Sequence, residues 1–140
     1  DVLSAVAEEI PPGKLKFALG IGTPADIVAC RDMGWELFDC VIPTREGRHG
    51  RVFSHLRDDF TYRQTNLTAA AAAGEEAIEE GCDCGCAGYS RAYLRHLFTV
   101  GDPLAGTICA GHNLRFFNRL CERLAARERG SGRGIMKKSK

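Results

Sequence analysis

The chain has 140 residues, 44% of them hydrophobic, and a net charge of +1; this suffices for one modest domain with its own core and excludes a polyanion binder that works through overall charge, so any nucleic-acid surface must come from local clustering. A mean hydropathy of −0.19, no apolar run near the ~18–20 residues of a membrane span and no signal-peptide pattern predict a soluble, cytoplasmic protein without a membrane partner. Seven cysteines, three of them within five residues, read as a metal site in a reducing compartment and not as a disulfide framework.

Val2, Leu3, Val6 and Ile10 have helical spacing, and Pro11-Pro12-Gly13 ends that helix. The apolar run Leu15 to Leu19, closed by Gly20-Ile21-Gly22, reads as a buried strand. Thr23-Pro24-Ala25-Asp26 is a helix start, with Thr23 as N-cap, Pro24 in the first turn and Asp26 reaching back as in a capping box. Ile27, Val28 and Met33 face inward and Gly34 ends the helix; a second apolar strand, Leu37 to Ile42, stops at Pro43. This is a βαβ unit with parallel strands and a right-handed crossover. Two strands do not make a stable sheet, and the chain opens on Asp1 without a methionine. Both features predict further strands in an N-terminal part that these residues do not supply.

Residues 44–51 read as a basic, glycine-containing loop, and Val52-Phe53 and Phe60-Thr61-Tyr62 as short strands. Ala69 to Ala73 is low in complexity and predicts a mobile insert or a short helix. Tyr89, Tyr93, Leu94, Leu97 and Phe98 mark a helix with one apolar face. Leu114, Phe117, Leu120, Cys121 and Leu124 mark another, with Arg115, Arg119, Arg123 and Arg127 outside the stripe. From residue 130 the sequence predicts a disordered basic tail.

A closed tetrahedral zinc site needs four ligands, and thiolates are strong ones. Cys82, Cys84 and Cys86 supply three from one loop, and His112, at the start of the final helix, supplies the fourth. This predicts one structural Zn2+. Unliganded or redox-active thiols are the alternative, and Cys109, close to His112, is a rival ligand. Cys30 and Cys40 read as small core residues, and His96 as a surface residue.

Asp39 interrupts an apolar run, where a carboxylate is costly unless paired or functional. It fits either a structural hydrogen-bonding role or catalysis at the carboxyl end of a strand. Asp26, Asp32, Asp58 and Asp59 read as caps or solvated charges. Arg45, Arg48, His49 and Arg51 follow Asp39 closely; arginine forks suit phosphate oxygens, although an ordinary solvated loop has the same composition.

Four segments together resemble the tRNA-guanine transglycosylases, or queuine tRNA-ribosyltransferases: Gly20-Ile21-Gly22-Thr23-Pro24-Ala25-Asp26, Phe38-Asp39-Cys40-Val41-Ile42-Pro43-Thr44-Arg45, Tyr89-Ser90-Arg91-Ala92-Tyr93-Leu94-Arg95-His96-Leu97 and His112-Asn113-Leu114. The resemblance runs in order over about residues 15–125. It implies an α/β fold, the C-terminal part of a (β/α)8 TIM barrel with a zinc-binding subdomain. Residues 1–66 would carry barrel elements, 67–129 the zinc subdomain and final helix, and 130–140 the tail. It implies exchange of guanine at the tRNA wobble position for a 7-deazaguanine base, with Asp39 as nucleophile in a double displacement. Gly20, Ile21, Gly22, Thr23, Pro24, Ala25 and Asp26 would lie along the RNA, and Thr44, Arg45, Glu46, Gly47 and Arg48 would recognise the anticodon loop. The implied partners are the tRNA, guanine and the incoming base, and the implied full-length protein is a dimer. A noncatalytic, zinc-containing tRNA-binding or partner subunit is the alternative. The sequence departs from the family pattern in three ways. Its cysteines read C-x-C-x-C where the family reads C-x-C-x-x-C, the alanine-rich stretch lengthens the approach to them, and the half that carries the family's general base and purine pocket is not in this sequence.

Overall fold

The computed structural model describes residues 2–130. The predicted tail lies outside the described residues except for Gly130, the last residue of the final helix. The helices are α1 (Val2–Glu9), α2 (Pro24–Asp32), α3 (Ile42–Arg48), α4 (Arg91–Val100) and α5 (Pro103–Gly130). The strands are β1 (Phe17–Leu19), β2 (Leu37–Asp39), β3 (Arg51–Ser54) and β4 (Arg63–Asn66). Single 3-10 turns lie at Ala70–Ala72 and Cys86–Gly88.

The βαβ unit forms as its caps dictate. β1 and β2 are parallel, with Leu19 opposite Asp39. Thr23 Oγ1 accepts the Asp26 N–H at 3.1 Å, and the Thr23 hydroxyl donates to the Asp26 carboxylate at 2.6 Å. Asp26 therefore reaches the hydroxyl and not the Thr23 backbone N–H, because it is one methylene shorter than the Glu of a capping box. β1 is not the buried strand that its composition suggests. Ala18 is buried, against Ala7, Cys30 and Trp35, but Phe17 and Leu19 are exposed. A pleated strand with cover on one side buries alternate residues only, and none of the described elements covers the other side. α1 is fastened to this unit by Lys16 Nζ on the Ala7 carbonyl and Trp35 Nε1 on the Leu3 carbonyl.

β2 ends at Asp39, and Ile42 to Arg48 are helical, so the expected strand to Ile42 and basic loop over 44–51 are corrected. Pro43 stops a strand but also suits the first turn of a helix, where its missing N–H has no carbonyl to serve. Gly47 lets α3 lie backbone to backbone on α5: a Cβ there would sit 2.6 Å from Ala110 Cα.

β3 contains Val52-Phe53 as expected, and pairs antiparallel with β4. The strand expected at Phe60–Tyr62 is instead part of the connecting loop, and β4 starts just after it. His55 and Phe60 adopt the left-handed region, with φ of 55° and 64°. The Arg57 N–H donates to the Thr61 carbonyl inside the loop.

Phe116, Phe117, Leu120 and Leu124 of α5 form the main core with Ile27, Phe53 and Leu56. Leu114 and Cys121, placed in that stripe from sequence, are exposed; the phase of the helix is set by Phe116 against β3. The arginines off the stripe are all engaged: Arg115 with Asp83, Arg119 with Glu79, Arg123 with the Leu56 carbonyl and Asp58, and Arg127 with Asp32. The alanine-rich stretch docks as well. The Gly74 and Glu76 carbonyls accept the first N–H groups of α4, from Ala92 and Arg91, while Ser90 Oγ accepts from Tyr93.

Candidate metal centre and carboxylate site

Cys82, Cys84, Cys86 and His112 converge, with their ligand atoms all within 4.8 Å of one another. His112 Nδ1 lies 3.5, 3.6 and 3.2 Å from the three sulfurs in chain order, and the first two sulfurs are 3.3 Å apart. A tetrahedron with Zn–S of about 2.3 Å and Zn–N of about 2.0 Å has edges of roughly 3.5–3.8 Å. The donor set is thus near the size that zinc requires and fits a single structural Zn2+.

Each donor is placed by a local feature. Gly85, at φ +85°, turns the chain sharply between the second and third thiols and leads into the 3-10 turn at Cys86–Gly88. This left-handed glycine accommodates the one-residue spacer. His112 sits well inside α5 and not at its start, so the imidazole is carried on a rigid element. Its Nε2 bonds the Phe53 carbonyl at 2.8 Å, which puts the proton on Nε2 and leaves the Nδ1 lone pair facing the thiols. Burial holds the Cys86 thiol well above its usual range; only a cation in the cluster makes its thiolate favourable. Arg119 reaches the Cys82 sulfur at 3.8 Å and also grips Glu79, so a positive charge already stands beside the site. Cys109 shares a core cluster with Val52, Leu67, Leu94, Cys82 and Cys86 but is not among the four converging donors. Burial pushes its thiol up to about 12, consistent with a small core residue.

Asp39 is the last residue of β2, its carbonyl accepting the Gly20 N–H at 2.8 Å. Its side chain is exposed in a cleft of about 290 Å³ shared with Gly20, Ile42 and Arg45. Thr23, Pro24, Arg45 and Glu46 meet in an adjoining cleft of about 180 Å³. Thr44 and Arg48 instead line a third cleft of about 700 Å³ against Phe98 and Leu114. The remaining residues of the two predicted segments are engaged otherwise. Gly22 is pressed against Cys40 and Gly47 against α5, Asp26 is bonded to the Thr23 N-cap of α2, Glu46 pairs with Arg45 and Arg51, and Ile21 lies beside the small core around Trp35. Ala25 is exposed in the first turn of α2.

Sequence reasoning gave Asn113 no role. It is fully buried, accepts the Phe53 N–H at 3.1 Å, and donates to the Pro43 and Arg51 carbonyls at 3.0 and 2.9 Å. One side chain therefore ties the metal-bearing helix to the start of α3, three residues past the strand end that carries Asp39. A buried amide next to a ligand histidine was the available signal.

A carboxylate at the carboxyl end of a parallel βαβ unit, packed on a helix that carries the last ligand of a Cys3His cluster, defines a zinc-binding protein of mixed helix and strand. The family model described as Queuine tRNA-ribosyltransferase matches residues 1–128, and the chain belongs to that family. It is 42% identical over 123 residues to the queuine tRNA-ribosyltransferase of Clostridium tetani, covering 86% of this chain and 31% of that protein. The same enzyme of Clostridium acetobutylicum is 41% identical over 123 residues, with the same coverage, and that of Lachnospira eligens 42% over 122 residues, again covering 86% and 31%. The chain thus spans about a third of the length of these curated relatives. Among the described residues, no helix is long and apolar enough to cross a membrane.

Proposed function

We propose that this chain is the carboxyl-terminal part of a tRNA-guanine transglycosylase, which replaces guanine at the wobble position by a 7-deazaguanine base. Residues 1–66 supply the last elements of a (β/α)8 barrel, and 67–129 the zinc subdomain. Asp39 is the nucleophile. Its carboxylate attacks the ribose anomeric carbon, the glycosidic bond breaks with its electron pair going to guanine, and an Asp39–ribosyl ester forms. The incoming base then gives up its ring N–H proton to a general base outside this chain and displaces the Asp39 carboxylate from the same carbon, so two substitutions retain the configuration. Protonation of the leaving guanine and the purine pocket fall to residues of the full-length protein outside this chain. The wobble guanosine must leave the anticodon stack, which costs a few kcal/mol, less in a loop than in a duplex. Gly20 and Arg45 flank the reacting sugar; Thr23, Pro24, Thr44 and Arg48 meet the surrounding nucleotides. The zinc ion holds the fold. The full-length protein works as a dimer in the cytoplasm, where its thiols stay reduced.

The observation that supports this reading best is the place of Asp39: exposed at a strand's carboxyl end, in a cleft, beside an arginine. The test uses the full-length protein. Labelled guanine should enter a suitable tRNA, and mixing without free base should trap a tRNA adduct that survives denaturing electrophoresis. Asp39→Asn should still bind the tRNA and give no adduct. An adduct formed by Asp39→Asn would remove Asp39 from this role.

A further inference from the structure

Three clefts on this molecule are neighbours, each sharing lining residues with the next. The Asp39 cleft shares Ile42 and Arg45 with the one beside Thr23 and Glu46. That one shares Tyr62 and Gln64 with a cleft of about 670 Å³ under the β3–β4 loop, which is lined by His55, Arg57 and Arg63. We propose that this row of clefts acts as one groove that holds the sugar-phosphate strand of the RNA as it leaves the Asp39 site, with Arg57 and Arg63 as phosphate contacts. The proposal rests on the transglycosylase reading for its ligand and extends the RNA path to a loop outside both predicted RNA-facing segments.

The charges favour an anionic ligand. Arg57 and Arg63 are exposed, and among the described residues neither has an ion pair. The nearby carboxylates are occupied. Glu46 faces Arg45 and Arg51, and Asp58 faces Arg123. Asp59 accepts from the Thr61 N–H and hydroxyl; those bonds, more than nearby Arg57, hold its carboxyl below the usual range. Two guanidinium forks therefore stand over a polar groove with their donors unspent, an arrangement suited to phosphodiester oxygens.

The loop that carries Arg57 is also held in place. Its left-handed ends are fixed from the neighbouring elements: the His55 N–H by Glu79 Oε1 at 2.9 Å, the Leu56 carbonyl by Arg123 at 2.9 Å, and the Phe60 ring by Arg127, 5.0 Å above it. A contact presented on such a loop needs little further ordering when RNA arrives.

The experiment measures binding of a labelled RNA hairpin, with guanosine at the wobble position of its loop, to the full-length protein over a range of salt concentrations. Two phosphate contacts on a single strand contribute about 1.4 to the slope of log K against log salt. The double variant Arg57→Ala/Arg63→Ala should flatten the slope by roughly that amount. It should raise KM several-fold for base exchange and leave kcat and the melting temperature unchanged. Arg57→Lys/Arg63→Lys should keep most of the slope. A double alanine variant with the wild-type slope and wild-type affinity overturns the proposal. Binding is read without chemistry, so loss of exchange or of the Asp39 adduct would count against the transglycosylase reading and leave the slope to decide the groove.

Discussion

Asn113 accepts the N–H of Phe53, and its neighbour His112 takes the carbonyl of the same residue. Both backbone groups of one β3 residue are thus bound by adjacent side chains of α5. The histidine's other nitrogen faces the thiols, and the asparagine's amide donates to the Pro43 and Arg51 carbonyls. The metal cluster, the central hairpin and the start of α3 meet at this pair.

Asn113→Leu should therefore be costly out of proportion to its volume. It strands the Phe53 N–H and two carbonyls in a dry interior, and each buried unpaired group costs about 1–3 kcal/mol. Urea unfolding of the zinc-loaded protein should show a loss of about 3 kcal/mol or more. Asn113→Asp should also destabilise, because a carboxylate cannot donate to either carbonyl. A loss under about 0.5 kcal/mol, the range of neutral surface changes, would contradict this bonding scheme.

Metal removal should unfold more than the cysteine loop. Structural zinc contributes about 10–16 kcal/mol of apparent binding energy in small domains, comparable to or above the usual net stability of a domain. Elemental analysis should give one zinc per chain. A strong chelator should abolish the cooperative thermal transition, and His112→Ala should lose the ion. Cys109→Ser should keep it. Loss of zinc in Cys109→Ser with retention in His112→Ala would require another ligand set.

Gly85→Ala tests the shortened loop directly. A side chain at φ +85° costs roughly 1–2 kcal/mol, which should appear as metal affinity weakened about 5- to 30-fold in a competition titration with a chromophoric chelator. Gly88→Ala is the control, since nothing lies within 4 Å of its added Cβ, and it should bind as the wild type does.

Gly47 and Gly111 make a second matched pair. An added methyl at Gly47 collides with the Ala110 backbone, whereas one at Gly111 meets nothing within 4 Å. Gly47→Ala should destabilise by about 1–3 kcal/mol through overpacking. Gly111→Ala should be neutral or gain up to about 1 kcal/mol from helix propensity. Equal melting temperatures for the two variants would mean that α3 and α5 are not in backbone contact.

Signals confined to a few residues were legible in the sequence. Thr23-Pro24 starts α2 where its chemistry says, and the donor types of Cys82, Cys84, Cys86 and His112 announced their convergence before any fold was known. Signals that depend on a distant partner were not. Pro43 ends a strand and begins a helix with equal ease, so composition could not choose between loop and α3. β4, Arg63-Gln64-Thr65-Asn66, has no apolar alternation to mark it, while Phe60 and Tyr62 look like strand residues because their rings pack on Arg127 and Phe116. Leu114 and Phe116 are equally apolar, and only the position of Phe53 decides which turns inward. The row of clefts from Asp39 to Arg57 is lined from seven separate stretches of chain, which no local pattern brings together.

The 28 residues of α5 span about 42 Å, and their partners are arranged along it in order. Glu128 and Arg127 hold α2, Arg123 the β3–β4 loop, Phe117 and Phe116 the hairpin core, and Asn113 and His112 the metal and α3. A chain shortened progressively from its carboxyl end would therefore come apart as a sequence of separate events. The crossover helix would be released first, the arginine-bearing loop next and the zinc last. Ribosomal synthesis runs through the same positions in reverse, so the metal ligands are complete before the residues that clamp the βαβ unit have been made.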